Sequence, residues 1–315
     1  MSEQKVAYRQ FCEQLPDLPI YMYDWYLDAV CTDCTWDVVL AKAGDQVVAA
    51  LPFALKRKMG FTYIVMPAFT KFMGPILHPD YRAHKHEVTL YQTLIEQLPK
   101  VAAFKQNFHV QATNWLPFYW QGYEQSTRYT YRIDLSDLDQ VYGNINRNMR
   151  RNIKKAAQQL RVSLDDNPKA FFELNQKSFA RQDLAIPYSY ELFERHDQAL
   201  AKHQARILFF ALDANDQIHS AAHLIWDKQA SYYHLSGDDP ALRKSGGGIL
   251  LIWEAIKYTK EVLGLPYFDF EGSMLPQVEQ IRRQFGAKQQ PYFSIWNYHS
   301  ALFKVLDYWK GNRPR

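Results

Sequence analysis

The stretch that decides the fold runs from Ser231 to Met274 and reads SYYHLSGDDPALRKSGGGILLIWEAIKYTKEVLGLPYFDFEGSM. Its aromatic segment 231–236 predicts a strand, the apolar run 249–263 predicts a buried helix, and 267–270 predicts a second strand. Three consecutive glycines before the helix let the backbone approach a ligand, and the N–H groups of the helix's first turn point towards it. The stretch therefore predicts an anion site, and a pyrophosphate fits best.

The composition predicts a folded protein with two cores of ordinary size. The chain has 315 residues, of which 47% are hydrophobic and 15% aromatic. Its beginning, 1–11, is polar, and no run of 18 apolar residues occurs, so neither a signal peptide nor a membrane span is predicted. Three cysteines cannot build a disulfide framework, which favours the cytoplasm.

Neither the charge nor the metal-type residues point to a special partner by themselves. A formal net charge of +4, from 37 basic and 33 acidic residues, does not demand nucleic acid. Cys31 and Cys34 form a C-x-x-C pair without the second half of a zinc site, and His219 and His223 share a strand face without a third ligand. We therefore predict no metal and two ordinary thiols at a helix end.

Two parts of the chain have the same predicted order of elements, a helix followed by three strands. The second hairpin, ANDQIHSA at 214–221, resembles AGDQVVAA at 43–50. The predicted helices are 20–30 and 190–203, and the predicted strands are 36–42, 46–55 and 61–66, then 207–212, 217–226 and 231–236. Either turn chemistry repeats by chance, or the chain has two related halves.

An amphipathic helix is predicted at 144–161. Its apolar face carries Ile145, Met149, Ile153, Ala156 and Leu160, and its other face carries Arg147, Arg150, Arg151, Lys154 and Lys155. Such a stripe is either a solvated helix face or a contact for phosphate or nucleic acid.

Two acids follow the helix of the opening stretch. In the sequence FDFE, strand geometry would place Asp269 and Glu271 on one face. Acylation of an amine requires the ammonium proton to be removed, which either carboxylate could do. Alternatively, Asp269 caps or salt-bridges a loop. Tyr233 and His234 should lie on opposite faces of their strand, so at most one of them faces a cleft.

The segment 243–248, RKSGGG, satisfies R-x-x-G-x-G. It resembles motif A of the GNAT acyltransferases, in which this loop holds the pyrophosphate of acetyl-coenzyme A. The region 150–293 resembles the Fem-like subset of that superfamily, which includes the peptidoglycan-bridge aminoacyltransferases and a related acetyltransferase group. The resemblance rests on RRNIKKA (150–156), YYHLSG (232–237), GGGILLIWEAIK (246–257), FDFEGS (268–273) and IRRQFGA (281–287).

The resemblance implies an α/β fold of the α+β type, with two GNAT-like halves that each contain a mixed, mainly antiparallel sheet flanked by helices. We predict a degenerate N-terminal half, 1–132, and a donor-binding C-terminal half, 133–315. The corresponding part of the first half, 67–75, has a single glycine and no R-x-x-G-x-G. Only the second half is therefore predicted to hold a pyrophosphate.

The resemblance implies transfer of an acyl group from acetyl-coenzyme A or another acyl-coenzyme A to the amine of a small molecule or of a cell-wall precursor. The residues predicted to bind the donor are Arg243, Ser245, Gly246, Gly247, Gly248 and Ile249; those predicted to act in catalysis are Asp269 and Glu271; and those predicted to bind the substrate are Tyr233, His234, Arg150 and Arg282.

Two departures from the Fem pattern bear on the donor. Where many Fem proteins have a lysine in F-K-x-x-F-G, this chain has Arg282, which cannot act as a neutral base. It also lacks a heptad stretch for a helical tRNA-binding arm. Aminoacyl-tRNA, bound through the basic helix 147–155, is therefore the second candidate donor. A third candidate function is a non-catalytic binding module, which predicts a filled or blocked cleft at Gly246.

Overall fold

A computed structural model describes residues 2–272 and 274–309, with the exception of the side chain of His84. Ser273, which belongs to the FDFEGS segment, lies outside the described residues. The helices are α1 (Glu3–Gln14), α2 (Asp24–Val30), α3 (His84–Glu96), α4 (Leu116–Trp120), α5 (Leu138–Asn144), α6 (Arg147–Gln159), α7 (Pro168–Ala180), α8 (Tyr190–Lys202), α9 (Gly247–Glu261), α10 (Pro276–Gln284) and α11 (Ala301–Trp309). The strands are β1 (Thr35–Ala43), β2 (Gln46–Lys58), β3 (Phe61–Val65), β4 (Ile76–Leu77), β5 (Ala103–Asn107), β6 (Glu124–Asp134), β7 (Arg161–Ser163), β8 (Arg206–Leu212), β9 (Ile218–Trp226), β10 (Ala230–Asp238), β11 (Tyr267–Asp269) and β12 (Lys288–Tyr298).

The chain divides into two compact units. The first unit comprises the residues up to Arg128 together with those from Pro291 onwards, and the second comprises Tyr129–Gln290. The boundaries therefore fall within β6 and β12. The division into halves at 132/133 remains a prediction.

The first unit contains an antiparallel sheet in the order β1-β2-β3, and β4 also pairs with β2. In the same unit, β5 pairs antiparallel with β12. The predicted helix at 20–30 is divided, because a 3-10 turn at Ile20–Met22 precedes Tyr23, whose extended backbone (φ −64°, ψ 140°) separates it from α2. The predicted turn at 43–46 joins β1 and β2 as expected. Cys31 follows the last residue of α2, and both Cys31 and Cys34 are free thiols.

In the second unit the strand order is β6-β11-β10-β9-β8-β7; β10 and β11 pair in parallel, and the other pairs given for its described residues are antiparallel. The apolar residues of one sheet face form a core with α6 and α9, including Phe268, Phe270 and Tyr233. Helices α7 and α8 contact the strands as well, and Asn175 of α7 donates to the Ser236 carbonyl. The predicted α/β fold of two mainly antiparallel sheets with flanking helices is confirmed.

The amphipathic pattern of α6 explains its place in this core. Met149, Ile153 and Ala156 are buried, whereas Arg147, Arg151, Lys154 and Lys155 are exposed. Asn146 caps the helix by accepting a hydrogen bond from the Asn148 N–H at 2.9 Å. In the described part of the chain, no helix combines the length and apolar character needed to cross a membrane.

Candidate active site

The glycine loop places the start of α9 directly against the sheet. Arg243–Ser245 form a 3-10 turn, and Gly246 then takes a left-handed backbone conformation (φ +80°). A Cβ at Gly247 would lie 2.7 Å from the Ser220 Oγ, and one at Gly248 would lie 2.8 Å from the Asp238 Oδ1. Real Cβ atoms do not approach this closely, so a larger residue at either position would force the Ser220 or Asp238 side chain to shift, whether or not a ligand is bound.

The first turn of α9 has its backbone N–H groups available for an anion. Gly246 occupies the N-cap position, and no described side chain caps the helix, although the Ser245 Oγ lies 3.4 Å from the Gly247 nitrogen. In any α-helix the first four N–H groups have no intrahelical acceptor and carry the positive end of the helix dipole. The N–H groups of Gly248 and Ile249 can therefore bind a phosphate.

A cavity of about 180 Å³ opens at this helix start. Its lining comprises Tyr233, Ser236, Asp238, Arg243, Gly246, Gly248, Ile249, Ile252, Ile281 and Arg282. Four of the six predicted donor-binding residues line it; Ser245 and Gly247 do not. Two guanidinium groups and one carboxylate give it a mixed polar character, and the isoleucines give it an apolar wall. An anion next to an apolar chain fits this lining.

The cavity lies where β10 and β11 separate. The two strands pair only from Ala230 to Tyr232. The register of the pairing between β10 and β9 then shifts between Tyr233 and Leu235. The Phe270 N–H donates to the Tyr131 carbonyl at 2.9 Å, so the chain after β11 continues along β6. Beyond this point β10 has no β11 partner, because β11 ends at Asp269. The gap gives access to the sheet edge between them.

Tyr233 and His234 lie on opposite faces of β10, as the sequence predicts. Tyr233 belongs to the core with α9 and lines the cavity. His234 faces the other way, with its ring centroid 5.2 Å from that of His196 in α8. His234 therefore contacts a second polar region of the sheet.

Asp269 organises the loop that follows β11. Its Oδ1 accepts hydrogen bonds from the Thr130 hydroxyl at 2.5 Å and from the Glu271 N–H at 2.7 Å, and its Oδ2 lies 3.3 Å from the Arg132 Nε. Burial raises the pKa of Asp269 to about 6, although Arg132 and Thr130 act in the opposite direction. Asp269 thus has the loop-capping and salt-bridging contacts that formed the alternative to a catalytic role.

Glu271 is held in an unusual backbone conformation. Its φ is +56°, in the left-handed region that residues other than glycine rarely adopt, and the next residue, Gly272, has φ +63°. A Cβ at Gly272 would lie 2.1 Å from the Tyr129 carbonyl oxygen. Strain of this kind persists only where the surrounding contacts impose it. The carboxylate of Glu271 is directed to His234, with 2.5 Å between Oε1 and Nδ1.

Three buried histidines form a cluster behind Glu271. The ring centroids of His196, His223 and His234 lie 5.2–6.0 Å apart. The His223 Nε2 lies 3.3 Å from the Asp197 Oδ1, and Asp197 also accepts a 2.9 Å hydrogen bond from Arg206. Burial lowers the pKa of both His196 and His223, so these two rings are neutral near pH 7.

The described residues contain no group of three or more His, Cys, Asp and Glu side chains arranged to hold a metal ion. His219, which shares a strand with His223, lies 3.2 Å from the Asp213 Oδ2 instead.

The two predicted substrate-binding arginines have different surroundings. Arg282 lines the cavity, and its guanidinium lies 5.2 Å from the centre of the Phe270 ring. Burial lowers its pKa below the usual arginine value, and the nearby Tyr233 and Glu271 oppose this shift. The guanidinium of Arg150 instead donates to the Gly143 carbonyl at 3.1 Å, at the end of α5. Arg150 therefore has a local structural contact, and its role in substrate binding remains a prediction.

The comparisons with known proteins agree with this geometry. Residues 143–277 match the model of a family described as acetyltransferase (GNAT) domain. The matched region contains the glycine loop, α9 and Glu271, and the match supports an acyltransferase. No curated protein matches the chain significantly.

Solved structures extend the likeness beyond the GNAT domain. FemX is similar with a TM-score of 0.72 and 14% identity over 93% of this chain and 96% of its own. A tandem GNAT protein from the clavulanic acid biosynthesis pathway has a TM-score of 0.56 and 10% identity over 93% and 94%. The C-terminal domain of a putative lysylphosphatidylglycerol synthetase from Agrobacterium fabrum has a TM-score of 0.56 and 11% identity over 90% and 94%. At these identities the likeness shows the fold alone: the predicted Fem-like, tandem GNAT fold is confirmed.

Several residues around the GNAT site were not predicted as site residues. Asp238 lines the cavity, Thr130 and Arg132 hold Asp269, and His196 lies beside His234. Thr130 and Asp269 are 139 positions apart, and no local pattern links them. The sequence signal for Asp238 as a site residue was its position just after the aromatic segment 231–236 and close to the glycine loop.

Proposed function

We propose that the second unit transfers an acyl group from an acyl-coenzyme A to an amine. The observation that carries the proposal is the cavity at the start of α9, which joins an uncapped helix N-terminus, two arginines and an apolar wall at the gap between β10 and β11. A phosphate, an acyl chain and an approaching nucleophile each have a matching surface in this arrangement.

In the proposed complex, the N–H groups of Gly248 and Ile249 bind donor phosphate, and Arg243 adds a positive charge. Asp238, whose Oδ1 accepts from the Ser220 hydroxyl at 2.7 Å, also faces this helix start. Its negative charge disfavours a phosphate directly beside it and therefore favours the Arg243 side of the cavity for the phosphates. The bound thioester supplies an electrophilic carbonyl.

We propose Glu271 as the group that accepts the proton of the amine acceptor. Its side chain is 13% exposed and does not line the cavity, and its carboxylate has little freedom because Asp269 accepts from the Glu271 N–H and His234 contacts the carboxylate. His234 orients that carboxylate, and Asp269 fixes the loop that carries it. Removal of the ammonium proton leaves the neutral amine, which is the attacking form. Its nitrogen forms the new C–N bond, the thioester C–S bond breaks, and coenzyme A leaves as a thiolate that is protonated on release.

Arg282 belongs to the proposed substrate-binding surface. It retains its proton at ordinary pH because even a lowered arginine pKa lies far above 7. It therefore acts as a cation that attracts the carbonyl oxygen of the acyl group or an acidic group of the acceptor, and not as a base.

Calorimetry with acetyl-coenzyme A and with coenzyme A tests the donor. Both should bind, and Arg243→Gln should weaken both by about five- to tenfold, as expected for loss of one charge-assisted contact. Lys244→Gln, which removes the neighbouring cation outside the cavity lining, is the matched control. Absence of binding by the unmodified protein would exclude the coenzyme A donor.

Aminoacyl transfer from aminoacyl-tRNA to a peptidoglycan precursor is the second proposal. Its support is the fold shared with FemX and the exposed cationic face of α6. The buried face of the same helix contacts the glycine loop, where the Gly246 Cβ position is 3.4 Å from the Ala156 Cβ. Neutralising Arg147, Arg151, Lys154 and Lys155 should abolish tRNA binding and leave coenzyme A binding unchanged. Unchanged tRNA affinity would eliminate this donor.

The third candidate, a non-catalytic binding module, predicts a filled or blocked cleft at Gly246. The described residues instead leave a cavity beside Gly246, so this candidate is not supported. A cytoplasmic location remains part of the proposal, and it is supported by three free thiols.

A further inference from the structure

Helix α11 in the first unit has one apolar face that is packed against the protein. The Phe303 ring lies 5.3 Å from that of Phe61 and 4.7 Å from that of Tyr63. Four residues later, Asp307 accepts a 2.7 Å hydrogen bond from the Tyr298 hydroxyl. Residues four apart share a helix face, so this face fixes the helix to β3 and β12.

The opposite face of α11 is also apolar, but it is exposed to solvent. Leu302, Val305 and Trp309 are 62%, 54% and 89% exposed. Their spacing of three and four residues places them on one stripe. Helices at a solvent-exposed surface usually carry polar residues on their outer face, so an apolar outer stripe indicates an interaction surface.

The tip of the β2–β3 hairpin extends this stripe. Met59, in the turn between the strands, is 65% exposed and has a left-handed backbone (φ 51°). Together with Phe303 and Leu306 it lines a shallow cavity of about 70 Å³. Met59, Leu302, Val305, Leu306 and Trp309 are called the apolar patch below.

Cations lie beside the apolar patch. Arg57 and Lys58 are exposed at the end of β2, and Lys304 lies on α11. Of the acids nearby, Asp33 and Asp307 are each held in an ion pair with a lysine, whereas Glu124, which acts on Tyr298, is exposed. At the hairpin end the patch is flanked by the cations Arg57 and Lys58.

We propose that the apolar patch docks on the surface of an anionic phospholipid bilayer. Tryptophan and aliphatic side chains on one helix face enter the boundary between headgroups and acyl chains, while lysine and arginine contact anionic headgroups. Each cation close to such a surface strengthens binding about fivefold. A second copy of this chain is a poorer occupant, because a symmetric contact would bring together two patches that are flanked by the same cations.

Vesicle co-sedimentation of the full chain tests the docking. The chain should sediment with vesicles of mixed phosphatidylglycerol and phosphatidylcholine, less with phosphatidylcholine alone, and less again at high salt. The triple variant Leu302→Ser, Val305→Ser, Trp309→Ser should lose vesicle binding. The double variant Arg57→Gln, Lys58→Gln should weaken it about 25-fold, at about fivefold for each charge.

A matched control is Trp120→Ser, which removes another exposed tryptophan of the first unit, 55% exposed, and should leave vesicle binding unchanged. If the triple variant does not fold, the charge variant still decides the matter. The proposal is overturned if the unmodified chain does not sediment with anionic vesicles, or if both variants bind as it does. It is also overturned if ultracentrifugation shows a dimer that the triple variant dissociates and vesicles do not compete with it.

Discussion

The substitution Asp269→Asn tests whether the buried carboxyl group of Asp269 makes the free energy of unfolding fall as the pH rises. Burial raises the pKa of Asp269 from 3.8 to about 6. The folded chain therefore binds more protons than the unfolded chain between these two pH values, and the free energy of unfolding falls as the pH rises through that window. At about 1.36 kcal/mol per unit, the full effect is about 3 kcal/mol, of which about 2 kcal/mol falls between pH 4.5 and 7.

The asparagine variant lacks this titration but retains an oxygen that can accept from Thr130 and from the Glu271 N–H. The stability advantage of the unmodified protein over the variant should therefore shrink by about 2 kcal/mol from pH 4.5 to pH 7. Urea unfolding followed by circular dichroism at several pH values measures this difference.

Asp134→Asn is a control of opposite sign. A hydrogen bond from the Ser136 N–H lowers the pKa of Asp134, so its carboxylate contributes stability that is lost as the pH falls. The advantage of the unmodified protein over this variant should grow as the pH rises. If the curves for Asp269→Asn run parallel to those of the unmodified protein, Arg132 compensates the buried charge completely and the argument is refuted.

Three further changes test the site. Gly272→Ala should destabilise the chain by at least about 2 kcal/mol more than Gly264→Ala in thermal unfolding: both positions have positive φ, but only at Gly272 does a Cβ meet backbone atoms. His196→Phe should make the free energy of unfolding fall less steeply below about pH 6.5, because the ring of His196 takes up a proton in the unfolded chain but stays neutral when buried. An unchanged pH slope in urea titrations would contradict this. Glu271→Gln should abolish acyl transfer while calorimetry shows unchanged coenzyme A binding, and loss of both would contradict its separate role.

Local patterns predicted the elements of the second unit because each rests on neighbouring residues. The basic and apolar periodicity at 144–161 predicted α6, which runs from Arg147 to Gln159. The apolar run after the three glycines predicted α9, although the helix begins two residues earlier, at Gly247. Glycine propensity disfavours that start, but packing against Ser220 overrides it.

Long-range contacts could not be predicted in this way. The alternation in FDFE predicted that Asp269 and Glu271 share one face of a strand, but extended backbone ends at Asp269 and Glu271 is left-handed. That conformation depends on Thr130 and on the Tyr129 carbonyl, which come from a strand about 140 positions earlier. Helix Ile20–Val30 was wrong as a single element for a similar reason: its periodicity is continuous, while the extended Tyr23 interrupts it.

The two halves of the proposed chemistry occupy opposite faces of one sheet. The cavity with Tyr233 lies on the α9 face, and His234 with Glu271 lies on the other. In a continuous sheet, backbone hydrogen bonds would separate a donor on one face from a base on the other. The pairing of β10 with β11 spans only Ala230–Tyr232, because β11 ends at Asp269, so these hydrogen bonds do not continue along the rest of β10. We therefore propose that a carbonyl held from the α9 side and an amine approaching from the histidine side meet at this gap.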